Sequence, residues 1–293
     1  MTGVLWGSIG LVGRLLQDLG QPAVTITFWR FICACAVLAP ALGRAGWRAL
    51  AREARRPLRL VLVSASFLTA QVVYFFAVRD VGVAVATLIA LGLAPVVLTC
   101  TEAAVARERP TTRALTSLTL ALIGLALVTA SGAPSPQAAP RPLVGIVEAV
   151  ATGLAYAAAT SWTIPLSRRL DPRTVTFATA ATGAVLLLPV VAVVGWHVPR
   201  TAPIVAGIVW LAVVATVVAY GLFYTGLRST PGSIAMILTL LEPLTAVVLA
   251  ATLLGEPLTA PNVLGGAFLL GAVVILYLAP GRPREPPALT GRS

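Results

Sequence analysis

Two formal charges sit far inside apolar stretches, where their chemistry most needs a reason. Arg30, in TFWRF, is eight residues from Pro22, roughly 12 Å along a helix, and Glu242, in TLLEPL, is eleven residues from Pro231, roughly 17 Å along another. In a hydrocarbon core ~30 Å thick both approach the midplane. A lone arginine at that depth costs about 2.5–3.5 kcal/mol on insertion scales, so each charge needs a partner, a wet cavity or a task. Two arrangements satisfy this. The pair forms a structural ion pair that pins two helices, or both residues line a central cavity and meet the charges of a small-molecule substrate. A carboxyl can also take up and release a proton, which makes Glu242 the candidate for coupling to protons.

Uncharged groups in neighbouring apolar runs could complete a recognition surface: Gln71 and Tyr74, Tyr156 and Trp162, Tyr220 and Tyr224. Tyr220 and Tyr224 are one helical turn apart and share a face. The alternative for each aromatic is an interfacial belt or plain packing. Pro95 and Pro243 each remove a backbone donor and crowd the carbonyl four residues earlier, so each predicts a kink near the middle of its helix. The freed carbonyls, of Leu91 and Thr239, would face a cavity, unless the prolines only shape packing. Glu102 and Glu148 fall near helix ends and are expected to be solvated at the interface. Glu108 and Glu256 precede threonines that can cap the next helix, an architectural role.

Other chemistries lack their residues. There is no lysine in the chain, so the lysine of a GxxxxGK phosphate loop is missing and direct ATP use is excluded. The single histidine, His197, stands beside Trp196, no HExxH pattern occurs, and no aspartate falls within an expected span. Cys33, Cys35 and Cys100 are odd in number, lie in apolar runs, and the first two point to different helix faces. Neither a metal site nor a cofactor is implied, and the chain does not read as an enzyme. An integral membrane enzyme and a non-transporting membrane scaffold or sensor remain the rival classes to a transporter.

The elements that must position these residues are membrane helices. Hydrophobic residues make up 58% of the chain and charged residues only 11%, with a mean hydropathy of +0.94. Soluble domains carry about 25% charged residues, so the surplus apolar surface must face lipid. Apolar runs between charged, proline and glycine breaks predict ten spans near 3–17, 22–42, 57–78, 82–106, 112–130, 143–167, 173–195, 203–227, 231–254 and 260–279. The first lacks the basic start of a secretory signal and reads as a short span, either tucked in or begun upstream of Met1.

The net charge of +11 comes from 21 arginines. They sit between apolar runs, which points to membrane orientation and not to nucleic acid. With the N-terminus inside, the inner segments hold Arg44, Arg48, Arg52, Arg55, Arg56, Arg59, Arg107, Arg109, Arg113, Arg168, Arg169, Arg173, Arg228, Arg282, Arg284 and Arg292, and the outer ends hold Arg14, Arg79, Arg141 and Arg200. Sixteen against four places both termini in the cytoplasm, as in a bacterial inner-membrane protein.

An internal repeat organises the chain. LAPVVLTCTEAAVARERPTTRAL in the first half matches LEPLTAVVLAATLLGEPLTAPNV in the second, so Pro95 and Pro243, like Glu108 and Glu256, are 148 residues apart. Arg79 and Arg228 are 149 apart, Pro22 and Pro172 150. The expected units are 1–131 and 143–280, each of five helices, followed by a disordered cytoplasmic tail over 281–293. An odd number of spans per unit turns the second copy upside down, the inverted repeat of secondary carriers. Small residues at four-residue spacing, as at Ala149, Gly153 and Ala157, permit the close helix contacts such a bundle needs.

With WGS at Trp6–Ser8, WRF at Trp29–Phe31 and the two repeat copies, the chain resembles the EamA-like family of the drug/metabolite transporter superfamily over nearly its whole length. The resemblance implies a cavity lined by the first four helices of each half, with the fifth more peripheral. It also implies export of amino acids, other metabolites or toxic compounds by alternating access. One departure is that Ala94 stands in the first copy where the second has Glu242.

Overall fold

A computed structural model describes residues 1–55, 57–131, 141–253, 255 and 257–278. The 281–293 tail, Glu256 and most of the 131–142 break lie outside the described residues. Within them all regular structure is helical: α1 (Thr2–Asp18), α2 (Ala23–Leu38), a 3-10 turn (Pro40–Leu42), α3 (Gly43–Ala54), α4 (Leu58–Val81), α5 (Val83–Ala106), α6 (Thr112–Ser131), α7 (Pro142–Arg169), α8 (Pro172–Val194), α9 (Ala202–Ala212), a π-helical turn (Val213–Val218), α10 (Ala219–Gly226), α11 (Gly232–Thr239), α12 (Leu241–Leu253) and α13 (Ala260–Leu278).

Among the described residues, eight stretches are long and apolar enough to cross a membrane: α4 to α8 singly, α9 through α10, α11 through α12, and α13. The helices α1 and α2 have 17 and 16 residues, roughly 26 and 24 Å at 1.5 Å per residue. Joined through their 119° bend they make one further candidate. Eight or nine spans thus meet the length requirement where the sequence count is ten, and the difference lies wholly in the first two helices.

The second helix also ends early, at Leu38 and not at 42. Pro40 interrupts the ladder and Gly43, at φ +60°, takes a backbone conformation that favours glycine. The next segment, expected as a loop, is the amphipathic α3. Its Arg44, Arg48 and Arg52 recur every fourth residue and stay exposed, while Gly46 is buried. A methyl group at Gly46 would lie 3.2 Å from Thr174 Oγ1, and the Trp47 ring stands edge-on to Phe177 at 5.2 Å, so α3 rests on α8.

Small residues set the helix spacing, because chains without a hydrophobic drive between them gain mainly by close packing. Ala149, Gly153 and Ala157 of α7 are all buried. Gly124 and Gly265 bring α6 and α13 together, each so near that a methyl group on one would lie 2.7 Å from the other's carbonyl oxygen. The expected threonine caps form on these same two helices. Thr111 Oγ1 accepts from the Ala114 N–H at 3.2 Å, and Thr259 Oγ1 from the Asn262 N–H at 3.4 Å.

Candidate functional site

The helices enclose a cavity of about 480 Å³. Its wall takes Arg30 from α2, Gln71 and Tyr74 from α4, Tyr156 from α7, Tyr220 and Tyr224 from α10, and Glu242 from α12. Leu91 and Thr239, whose carbonyls the prolines free, line it as well. No described residue of α3, α6 or α13 does. Trp162 is the one expected residue left off the wall, and its side chain is 38% exposed on the outside of the bundle. Helical geometry explains this: Tyr156, Ala159, Thr160 and Thr163 follow one face of α7, and Trp162 stands about 240° round from Tyr156.

Arg30 is buried, 5% exposed, with its guanidinium 5.0 Å from the centre of the Phe31 ring. Its Nε and Nη2 have no hydrogen-bond partner. No ion pair joins it to Glu242 among the described residues, so of the two arrangements expected for these charges, direct pairing is not the one found. Tyr156 and Tyr220 lie close enough to interact electrostatically with both. The remaining phenols are tied to hydroxyls: Tyr74 to Thr87 Oγ1 at 2.6 Å and Tyr224 to Thr179 Oγ1 at 3.3 Å.

An aromatic cluster forms one side of the chamber. The Trp6 ring is 4.9 Å from Tyr220 and 5.4 Å from Phe223, and Phe67 is 5.7 Å from Tyr220 and 6.0 Å from Tyr156. Trp6 Nε1 donates to the Ala215 carbonyl at 3.1 Å, inside the π-helical turn. That turn, where Thr216 Oγ1 donates five residues back to Leu211, carries Thr216 into the wall just ahead of Tyr220. Sequence reasoning missed Trp6 as a site residue, although it was visible in the WGS motif. The π turn leaves no periodic signal because the run is apolar throughout.

The two prolines behave differently. The chain breaks at Leu240, between α11 and α12, one turn before the Pro243 ring would crowd the Thr239 carbonyl. By contrast α5 runs through Pro95 as one helix, so a matched pair of interrupted helices is not what forms. Gly3 and Gly7 of α1 press against the break: methyl groups there would lie 2.9 Å from the Leu238 and Glu242 carbonyl oxygens respectively. A related contact joins α7 to α5, since a methyl group at Gly153 of α7 would lie 3.0 Å from the Ala90 carbonyl oxygen of α5.

Two acids depart from expectation. Asp80 is expected between spans, but α4 continues to Val81 and holds it with its carboxylate 1% exposed. Arg79 Nε approaches one carboxylate oxygen at 2.9 Å and Arg141 Nη2 the other at 3.1 Å, tying the end of α4 to the start of α7. Glu102, expected to be solvated, instead accepts from the Gly232 N–H at 2.7 Å and from the Ser233 N–H and hydroxyl. It caps α11 from α5, because the first amides of a helix have no carbonyl of their own helix one turn earlier to accept from them.

Apolar helices around a chamber with polar walls define a polytopic membrane protein. The chain belongs to the EamA-like transporter family, whose model matches residues 1–130 and 143–278. It is similar to the inner membrane transporter YicL of Salmonella typhimurium, with 25% identity over 282 residues, 95% of this chain and 93% of YicL. It is also similar to the transporter YwfM of Bacillus subtilis, with 27% identity over 282 residues, 95% of this chain and 92% of YwfM. A solved crystal structure shares the fold at a TM-score of 0.78, with 18% identity over 94% of each chain.

Proposed function

We propose that this protein is a secondary carrier that exports a small metabolite, amino acid or drug-like compound across the bacterial inner membrane by alternating access. The observation that carries the reading is the cavity, whose wall draws on helices from both halves and holds a buried arginine and a carboxyl. Its volume falls within the ~300–1,000 Å³ of small-molecule sites. In this reading α1 and α2 are short spans that bring the total to ten, and both termini are cytoplasmic. Residues 1–131 and 143–280 are inverted halves. The crossed contacts support that symmetry: Gly3 meets Leu238 as Gly153 meets Ala90, with the glycines 150 and the carbonyls 148 residues apart, the offsets of the sequence repeat.

Arg30, Gln71, Tyr74, Tyr156, Tyr220, Tyr224 and Glu242 are then the substrate-contacting set, and Glu242 carries the coupling proton. The test compares metabolites retained by cells expressing the wild type, Arg30→Ala and no transporter. Depletion of one compound class by the wild type alone is expected, and identical profiles in all three would refute the reading. For the compound so identified, flux in proteoliposomes should follow an imposed pH gradient in the wild type and lose that dependence in Glu242→Gln.

A further inference from the structure

Arg30 has donors to offer that nothing among the described residues takes up. It is 5% exposed and lines the cavity, and Nε and Nη2 have no partner. Those two nitrogens form one edge of the planar guanidinium, the fork that matches both oxygens of a carboxylate. Burying a charge this deeply without a hydrogen-bonding partner in the protein is strongly unfavourable, which marks Arg30 as a group kept for a ligand.

Most threonines of the wall have no proton left to donate. Thr27, Thr163, Thr176, Thr216 and Thr239 each spend their single hydroxyl proton on a backbone carbonyl at 2.7–2.9 Å. They present only lone pairs and methyl groups to a ligand. Among the described residues, Arg30 is the only cation in the wall and Glu242 its only acid. A ligand's negative group therefore has one cationic place to bind, and a single negative charge is what that place balances. Beside it, the mutually inclined rings of Trp6, Phe67, Tyr156 and Tyr220 offer an apolar aromatic surface.

We infer that the cavity recognises an apolar or aromatic monocarboxylate, its carboxylate forked on Nε and Nη2 of Arg30 and its body against the Trp6–Tyr220 ring cluster. This deepens the carrier reading and rests on it for the ligand's passage across the membrane, though not for its binding. The full-length protein in lipid nanodiscs would be tested with radiolabelled benzoate as the probe, in competition with benzamide and benzylamine, which keep the ring but not the anion.

Saturable benzoate binding is expected, with both competitors weaker by about tenfold or more and a similar loss in Arg30→Gln. Arg30→Lys, a point charge without the fork, should fall between the two proteins. Ligand-free Arg30→Gln should melt no lower than the wild type, since the buried charge it removes makes no hydrogen bond through Nε or Nη2 and no ion pair among the described residues. No saturable benzoate binding, equal displacement by benzamide or benzylamine, undiminished binding by Arg30→Gln, or a marked drop in its ligand-free melting temperature would each overturn the inference. The two proposals fail separately. Flux of a cation or neutral compound alone would end the carboxylate assignment and leave the carrier, whereas benzoate binding in a protein that moves nothing would do the reverse.

Discussion

Gly7 packs onto the carbonyl of Glu242. A methyl group on Gly7 would sit 2.9 Å from that oxygen and 2.5 Å from the Thr245 Cβ, so the first helix touches the broken span at its acidic residue. Gly7→Ala must push α1 away from α12, and overpacking of this kind costs about 1–3 kcal/mol. The melting temperature of the purified protein should drop accordingly. Gly10→Ala, on the same helix, meets nothing within 4 Å and should leave stability unchanged or raise it, by at most about 1 kcal/mol from helix propensity. Equal losses in the two variants would show that the contact with Glu242 is not what glycine at position 7 serves.

Asp80 joins α4 to α7 through Arg141, and Arg79 of its own helix shares the same carboxylate. Groups that share a partner do not act independently. Asp80→Asn should lower the melting temperature, and Arg141→Gln added to it should lower it further by much less than Arg141→Gln does alone. Full additivity in the double-mutant cycle would place the effect of Arg141 elsewhere. Salt should soften the single-mutant effects, since both arginines are more than half exposed.

Local signals made most of the helical framework legible. Arginine clusters, Pro57, Pro172 and glycines bound the long apolar runs, and the observed α4, α5, α7 and α8 begin within one residue of expectation. The α3 helix escaped because its stripe of arginines resembles a solvated loop when hydropathy alone is read. Asp80 escaped because α4 extends past Arg79 to satisfy it, a contact with Arg141 that lies 61 residues away in sequence. The site was legible as a set of residues too polar for their spans, Arg30 and Glu242 above all. Its geometry was not, because the gap between those two charges depends on how α2 and α12 pack on their neighbours. Trp162 fell outside because aromatic type alone says nothing about helix face.

Glu102 reaches from α5 to the first amides of α11, the short helix that ends at the break. Removing a side-chain cap costs about 0.5–2 kcal/mol. Glu102→Ala should lower the melting temperature by that order, and Glu102→Gln, which keeps an acceptor oxygen, should recover part of it. Hydrogen exchange at the Gly232 and Ser233 amides should quicken in Glu102→Ala. Protection that stays at the wild-type level there would mean another acceptor serves those amides.

Pro243 decides whether α11 and α12 are one helix or two. Without proline, the N–H of residue 243 could donate to the Thr239 carbonyl, which lines the cavity, and the turn at Leu240 could close into a continuous ladder. Helix continuity is intrinsically favoured, by up to about 3 kcal/mol for alanine over proline in a helix interior. Pro243→Ala should therefore keep or raise the melting temperature while it slows substrate flux by about tenfold or more, the kinetic equivalent of about 1.4 kcal/mol. Pro95→Ala is the control, because α5 is already continuous and its wall residue Leu91 should hold its position. If the two proline variants slow flux to the same extent, the break before Glu242 has no special part in transport, and the prolines act only through packing.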